Sequence, residues 1–196
     1  MQPINTNKHI QMSQALLVMD IQVAVMGRVE QPGPLLQNIN EAIAAAEKAG
    51  VPVIYVKVGF RTGFPEVSAN NKMFAHLKNM PAFGSGDASN LYPELHVTPN
   101  AIQVNKCRVS AFSGSDLEVI LRAQQINHLV LCGVSTSGVV LSTLREAADK
   151  DYAITVLSDC CIDPDKEVHE VLMNKVFVRQ ATVHPHTDWM RTLATK

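Results

Sequence analysis

The sequence lacks several features that would assign it to a function class at once. It has no CxxC pair, no apolar run of about 18 residues and no stretch rich in Lys and Arg. The net charge is −1 and aromatic residues make up only 5% of the chain. We therefore expect no nucleic-acid surface and no membrane span. Residues 1–13 are polar, without the apolar block of a signal peptide, and are interpreted as a lead-in segment of a cytoplasmic protein.

Cysteine and histidine are present but do not form a strong metal-binding pattern. We interpret the cysteines as reduced, mostly buried thiols, because they are not spaced as ligands or as a disulfide framework. Among the histidines only His184 and His186 are close, where a strand would place both on one face, but a zinc site needs further spaced ligands. The sequence therefore predicts no metal and no cofactor. The cysteines are Cys107, Cys132, Cys160 and Cys161.

Short apolar runs alternate with helical patterns along residues 14–196, which we interpret as one domain. The alternation predicts a three-layer α/β/α fold with a doubly wound, six-stranded, mainly parallel sheet. We predict strands at 15–19, 53–58, 101–105, 128–132, 152–157 and 181–183. We predict helices at 34–49, 115–125, 136–150, 163–175 and 187–193, and a short one at 70–78 in a segment rich in Gly and Pro. Ser115 and Glu118 form a capping-box pattern, and Asp163 is the predicted cap of its helix.

Two charged residues follow predicted strands directly. Asp20 ends the run ALLVMD, and Lys106 comes just after the strand at 101–105. In doubly wound sheets ligands bind beyond the carboxyl ends of the strands, so both side chains can reach one crevice. A partly desolvated carboxylate suits proton transfer, and an ammonium can hold that carboxylate and stabilise developing charge. Read singly, Asp20 could also be a helix cap and Lys106 a surface lysine.

The segment 133–140, GVSTSGVV, joins the fourth strand to its helix. Its small residues would let backbone N–H groups approach a ligand at a helix N-terminus, as in an oxyanion hole, although Ser and Thr can also simply cap the helix. It is not a GxGxxG, Walker or GxSxG motif. After the second strand, Arg61 could pair with an acidic substrate and Phe64 could wall a pocket, or both could be ordinary loop residues. His169 is interpreted as structural.

These sites together resemble the isochorismatase-like superfamily, also called cysteine hydrolases. The resemblance covers roughly residues 14 to 184 and is carried by LLVMDIQ with Asp20, KCRVSAFSGSDLEVIL with Lys106 and LCGVSTSGVVLSTLREAADKDYAITVLSDCC. It implies an α/β/α fold, a homodimer or homotetramer, and a cis peptide bond between Val134 and Ser135. It also implies that Asp20 and Lys106 activate a cysteine nucleophile, whose thiolate attacks a carbonyl.

The resemblance breaks at that nucleophile, because the alignment puts Val139 where the cysteine should be. A valine has no lone pair, so the thioester route is in doubt. We expect Cys132 to be buried, Cys107 to point to the other face and Ser137 to project elsewhere. The loop after the second strand shows no Asp-x-His metal motif. Isochorismatases also lack the cysteine, and hydrolysis of an enol ether needs only an acid and water, although Val139 is bulkier than the glycine expected there.

We therefore predict a metal-independent hydrolase of a small, anionic molecule, with the choice between an amide and an enol ether left open. Asp20 is the predicted general acid or base and Lys106 its partner. No nucleic acid, membrane or cofactor is expected to bind. The alternative is a ligand-binding or scaffold member of the same fold that has lost catalysis. The predicted pocket residues are Gln22, Arg61, Phe64, Phe112, Ser135, Thr136 and Val139.

Overall fold

Six apolar segments pair side by side as the strands of one sheet in the computed structural model, which describes residues 13–79 and 89–194. Every pairing is parallel, so the sheet expected to be mainly parallel is wholly so among these residues. The predicted lead-in lies outside the described residues except for Ser13. The strands are β1 (Gln14–Met19), β2 (Val53–Val58), β3 (Ile102–Lys106), β4 (His128–Val134), β5 (Ala153–Ile162) and β6 (Thr182–His184).

Helices flank this sheet, as the alternating sequence pattern predicts. The longest, α2, begins after Pro32, buries a stripe that includes Ile39 and Ile43, and is followed by Gly50 at φ 68°. The helices are α1 (Val23–Met26), α2 (Gly33–Lys48), α3 (Lys72–Ala75), α4 (Leu117–Ala123), α5 (Leu141–Asp149), α6 (Lys166–Val171) and α7 (His186–Leu193). Turns of 3-10 or π geometry adjoin three of these helices. They lie at His76–Asn79 after α3, at Thr136–Val140 before α5 and at Leu172–Val176 after α6, where a further turn, Phe177–Arg179, follows.

The strand order is β3-β2-β1-β4-β5-β6. The chain moves outward from β1 in one direction as far as β3, and then returns to the other side of β1 with β4. This reversal places a crevice at the carboxyl ends of β1 and β4, where doubly wound sheets bind their ligands. In the register of the two central strands, Val18 on β1 lies opposite Cys132 on β4, and both are almost wholly buried.

Several element boundaries differ from the sequence-based expectation for identifiable reasons. Strand β5 continues to Ile162 although its apolar run ends near Leu157, because Cys161 and Ile162 pair with Gly133 and Val134 of β4. The helix predicted from Asp163 begins instead at Lys166. Its cap is Asp165, whose carboxylate accepts the N–H groups of Glu167 and Val168. The prediction of Asp163 as the cap is therefore wrong.

The capping box predicted for α4 does not form, because the helix begins after Asp116, which makes no side-chain cap. The Ser115 hydroxyl accepts the N–H of Leu117, but the Glu118 carboxylate binds Lys150 at 2.7 Å instead of returning to the start of the helix. A charged partner on the neighbouring helix therefore replaces the reciprocal cap. Within the described ranges, no helix is long and apolar enough to cross a membrane.

Candidate active site

A cavity of about 820 Å³ opens at the carboxyl ends of the strands. Its volume lies in the range of pockets that bind small molecules. Its floor includes Asp20, Lys106 and the turn after β4, and its rim comes from the segment before α2, from α3 and from α6. The edge rule for doubly wound sheets therefore located the cavity correctly from the sequence.

Asp20 follows β1 in a left-handed backbone conformation, with φ 58°. Asp tolerates this region better than most residues. Its N–H donates to Val56 O at 2.8 Å, which fixes the turn against β2, and the residue is only 7% exposed. One carboxylate oxygen, Oδ2, lies 3.0 Å from Lys106 Nζ. The other, Oδ1, is buried and has no hydrogen-bond partner among the described residues, so one acceptor is free to bind a ligand.

Lys106 reaches Asp20 from the edge strand β3, across the whole width of β2. Strands lie about 4.8 Å apart, so the two backbones are separated by roughly two such spacings, and a long side chain is needed to close the gap. The lysine is 2% exposed, and its ammonium also donates to Arg108 O at 2.9 Å. The sequence-based expectation that this acid and amine meet in one crevice is matched by a direct contact.

Burial raises the pKa of Asp20, and the charge and hydrogen bond of Lys106 offset this only in part. A carboxyl group with a raised pKa is a stronger base than an exposed one and, once protonated, remains able to return its proton. The pair can therefore perform proton transfer in a site largely shielded from water.

The turn after β4 forms the opposite wall. The peptide bond between Val134 and Ser135 is cis, as the family resemblance implied, and Ser135 and Val139 line the cavity. Two N–H groups of this turn already have acceptors. Ser137 N donates to the Asp163 carboxylate at 2.7 Å, and Gly138 N donates to Ser135 O at 3.1 Å. The turn therefore has fewer donors available to a ligand than the sequence suggested.

His169 is a cavity residue that the sequence interpretation assigned to structure alone. It lies on α6, lines the cavity, and its Nδ1 is 2.8 Å from the hydroxyl of Thr136. Thr136 belongs to the turn after β4 and is fully buried. Burial lowers the pKa of His169, and the carboxylates of Asp163 and Glu170 offset this only in part. The available signal was position: α6 follows the carboxyl end of β5, the same edge of the sheet as Asp20.

Five predicted pocket residues do not line the cavity, which corrects that expectation: the buried Thr136, and Gln22, Phe112, Arg61 and Phe64. Gln22 is fully buried, and its side-chain amide makes hydrogen bonds with backbone groups of Val58 and Ser89. Phe112 packs in the core against Tyr152.

The other two, Arg61 and Phe64, follow the loop after β2, which turns toward β3 and not over Asp20. The Arg61 side chain is 80% exposed, binds Glu66 and borders a second, more open depression of about 730 Å³. Phe64 packs against Phe60.

None of the four cysteines, all within the described ranges, lines the cavity. Cys132 is buried within β4, with its thiol directed to Leu17 O at 3.4 Å, as expected. Burial raises the pKa of the Cys161 thiol to about 12 and raises that of Cys160 further. Cys107 borders the second depression on the other side of β3. The cavity therefore offers no thiol nucleophile.

A second polar cluster lies at α2, β5 and α7, outside the cavity lining. Ligand-type atoms of Asp159, Cys160 and His186 lie within 4.8 Å of one another. Both ring nitrogens of His186 are already engaged, with Nδ1 2.8 Å from Asp159 and Nε2 3.1 Å from Glu41. These contacts are those of a protonated imidazole that forms ion pairs with the carboxylates of Asp159 and Glu41. His186 begins α7, so it does not share a strand with His184 as the sequence suggested.

The His186 cluster predicts a pH-dependent contribution to stability. Burial lowers the pKa of His186, but hydrogen bonds to Asp159 and Glu41 outweigh it and raise the pKa above its usual value. The contribution is therefore fully present below the unfolded-state pKa of about 6.5 and is lost as pH rises through the higher folded-state pKa. In urea unfolding, the stability difference between wild type and His186→Gln should shrink from about pH 6 to about pH 9. A difference that stays constant over this range contradicts the prediction, and His96→Gln, at a half-exposed pair with Glu47, is the control.

Comparison with known proteins agrees with this geometry. The Isochorismatase domain family model matches residues 14–188. The chain is 34% identical over 145 residues to the ureidoacrylate amidohydrolase RutB of Pseudomonas savastanoi pv. phaseolicola, a match covering 67% of this chain and 59% of that protein. It is 31% identical over 190 residues to the isochorismatase family protein YecD of Escherichia coli O157:H7, covering 91% and 95% of the two chains.

The fold has equally clear counterparts among solved structures. An isochorismatase family protein from Burkholderia thailandensis superposes with a TM-score of 0.81 at 26% identity, covering 93% of this chain and 96% of that chain. The chain belongs to the isochorismatase family.

Proposed function

We propose that this protein hydrolyses a small carboxylate-bearing amide or ureido compound, with Asp20 as general base and Lys106 as its charge partner. The observation that carries the proposal is the pair at 3.0 Å, in which Asp20 lines the cavity and its second oxygen, Oδ1, is buried without a hydrogen-bond partner among the described residues. A desolvated oxygen without a partner is costly unless a ligand or a water supplies a hydrogen bond. The proposal therefore has Asp20 Oδ1 accept a proton from the attacking water.

The proposed chemistry uses no cysteine. Asp20 removes a proton from water as the water oxygen forms a bond to the carbonyl carbon, and the C=O electron pair moves to oxygen. When the carbonyl re-forms, the C–N bond breaks and the leaving nitrogen takes the proton from Asp20. An ammonium has three donors, of which Lys106 uses two on Asp20 and Arg108 O, so one is left to stabilise developing negative charge.

The substrate class follows from the rim and the relatives. The side chains of Arg28 and Lys166 line the cavity without an ion-pair partner among the described residues, and they take the anion-binding role first expected for Arg61. The same rim carries Glu30 and Glu170, whose carboxylates would repel a substrate carboxylate. The substrate carboxylate therefore has to lie beside Arg28 and Lys166. The similarity to ureidoacrylate amidohydrolases favours an amide or ureido bond over an enol ether.

The test is the substitution Asp20→Asn, assayed on carbamoyl and amide carboxylates, ureidoacrylate among them, and on enol ethers. Asn keeps the shape and tolerates the positive φ but does not accept a proton, so kcat/KM should fall by about 10²-fold. Asp151→Asn is the matched control, since Asp151 also has a positive φ, 63°, but is exposed and outside the cavity lining. Turnover unchanged by Asp20→Asn would refute the role of Asp20, and turnover of enol ethers alone would refute the substrate class.

A second candidate, a binding protein without catalysis, is favoured by one observation. Val139, which the sequence resemblance puts at the position of the cysteine nucleophile, is 2% exposed and gives that wall of the cavity a hydrocarbon surface. The two functions separate when a compound that raises the melting temperature is incubated with the protein. A binder returns the compound intact, whereas the proposed hydrolase consumes it.

A further inference from the structure

The imidazole of His169 is held at the cavity by one contact. Its Nδ1 lies 2.8 Å from Thr136 Oγ1, and no partner is recorded for its Nε2 among the described residues. The residue is half-buried and lines the same cavity as Asp20 and Lys106. Of the two ring nitrogens, the contact with Thr136 therefore leaves Nε2 available to a ligand.

The Thr136 contact also fixes which nitrogen carries the proton. Thr136 is fully buried, and its hydroxyl has no recorded partner other than His169 Nδ1 in the described part of the chain. A buried hydroxyl proton left without an acceptor is costly, so the hydroxyl donates to Nδ1. In a neutral imidazole the proton then lies on Nε2. The ring presents a neutral N–H donor at the cavity.

Neutrality of the ring follows from its surroundings. The carboxylates of Asp163 and Glu170 favour the charged form, but burial outweighs them and lowers the pKa of His169. A neutral imidazole can donate a hydrogen bond to a carbonyl oxygen without acting as a second proton donor beside Asp20.

Two backbone donors of the turn after β4 are already occupied, so a side-chain donor at the cavity would add to those that remain. The Ser137 N–H is bound by the Asp163 carboxylate and the Gly138 N–H by Ser135 O, so neither is available to an oxyanion. Hydrolysis through a tetrahedral intermediate needs preorganised donors at the carbonyl oxygen.

We propose that the Nε2–H of His169, oriented by Thr136, binds the carbonyl oxygen of the substrate and stabilises the oxyanion formed when water attacks. The proposal rests on the function proposed above. The imidazole keeps its proton throughout: the oxygen gains the C=O electron pair and a stronger hydrogen bond, and returns the pair when the C–N bond breaks. The ligand group at this position is a carbonyl oxygen, next to His169 and across the cavity floor from Asp20.

The first experiment reads the tautomer, which needs no substrate. In 15N-histidine NMR spectra at pH 7, His169 should be neutral with its proton on Nε2, and Thr136→Val should shift it toward a mixture of both tautomers. His128 is the internal control, because its Nε2 lies 2.9 Å from Thr155 Oγ1 at the opposite end of the sheet and should not respond. A charged ring, or a proton on Nδ1 in the wild type, overturns the inference.

The second experiment reads catalysis on the compounds that the wild type hydrolyses. Loss of an oxyanion donor lowers kcat by about 10²-fold, so His169→Phe should show this loss with KM changed by less than about threefold. His169→Gln, which keeps an N–H donor near the Nε2 position, should recover part of kcat. His128→Gln should leave both constants unchanged. A purely structural role would not produce the kcat-only loss or the recovery by Gln.

The outcomes separate this inference from the proposed function. If Asp20→Asn removes turnover while His169→Phe keeps kcat within about twofold, the inference fails and the hydrolase stands. If Asp20→Asn leaves turnover intact, the proposed function fails, and the kcat of His169→Phe alone decides the inference. If no compound is hydrolysed, N-carbamoylglycine is titrated into the labelled protein. A ligand-dependent shift of the His169 Nε2–H signal supports the contact, and its absence overturns it.

Discussion

Replacing Lys106 with methionine should both abolish activity and destabilise the fold. Methionine fills a similar volume but leaves the Asp20 carboxylate, 7% exposed, without its partner at 3.0 Å. Removing one member of a buried ion pair costs about 3–5 kcal/mol, because the remaining charge stays desolvated. We expect a loss of this size in the free energy of unfolding at neutral pH, and a fall in kcat/KM of about 10³-fold from losing the charge partner and its free donor.

The sign of the pH dependence is a further part of this prediction. Without Lys106, the pKa of Asp20 rises above the already raised value in the wild type. An acid whose pKa is higher in the folded than in the unfolded state destabilises the fold at the pH values where it has to ionise. The free energy of unfolding lost in Lys106→Met therefore grows as pH rises and is smallest in acid. The wild type serves as the reference at each pH, with stability measured by urea unfolding.

A double-substitution cycle isolates the pair. The variant Asp20→Asn/Lys106→Met carries no buried charge, so it should regain much of the stability that Lys106→Met loses. Activity should remain absent in both. If Lys106→Met unfolds at the wild-type urea concentration, or if the double variant is no more stable than Lys106→Met, the two groups do not form the coupled pair that the geometry indicates.

The positions of Asp20 and Lys106 could be predicted because they depend on topology. Each follows a strand directly, and in a doubly wound sheet strand ends share one edge, whatever the sequence distance between them. The sequence predicts that they meet in one crevice, but not the route of the contact, because β3 lies at the edge of the sheet and the lysine reaches across β2. Apolar patterns reveal that a segment is a strand, but not which strand it lies beside.

Residues on connecting segments were predicted least well. Arg61 and Phe64 lie three and six residues beyond the end of β2, whereas Asp20 follows β1 directly, and Arg61 borders the second depression instead of the cavity. Gln22 lies two residues from Asp20 but points into the backbone of β2. Side-chain direction after a strand is set by the turn, and composition alone does not specify turn geometry. His169 was missed because a histidine inside a helix is usually structural, and the one signal for it was that its helix follows the carboxyl end of β5.

Gly133 should be the least replaceable residue of the sheet. It has φ 145° and pairs in register with Met19, and a Cβ at this position would lie 2.2 Å from Met19 O and 2.9 Å from Met19 Cβ. The obstacle is the backbone of the neighbouring central strand, which has no rotamer to change. Backbone strain costs about 1–3 kcal/mol and overpacking about as much again, so Gly133→Ala should lose about 3 kcal/mol or more.

Two other glycines separate the contribution of backbone strain from that of overpacking. Gly63 has φ 81° with open space around it, so Gly63→Ala should lose only the strain, about 1–2 kcal/mol. Gly27 has φ −62° and its added Cβ would make only an ordinary contact, 3.4 Å from Val23 O, so Gly27→Ala should be neutral or slightly stabilising. Equal losses for Gly133→Ala and Gly63→Ala would show that the close approach of β1 and β4 contributes nothing. Because Met19 precedes Asp20 and Gly133 precedes the cis peptide bond, forcing these strands apart separates the two walls of the cavity. Any Gly133→Ala protein that still folds should therefore lose activity as well.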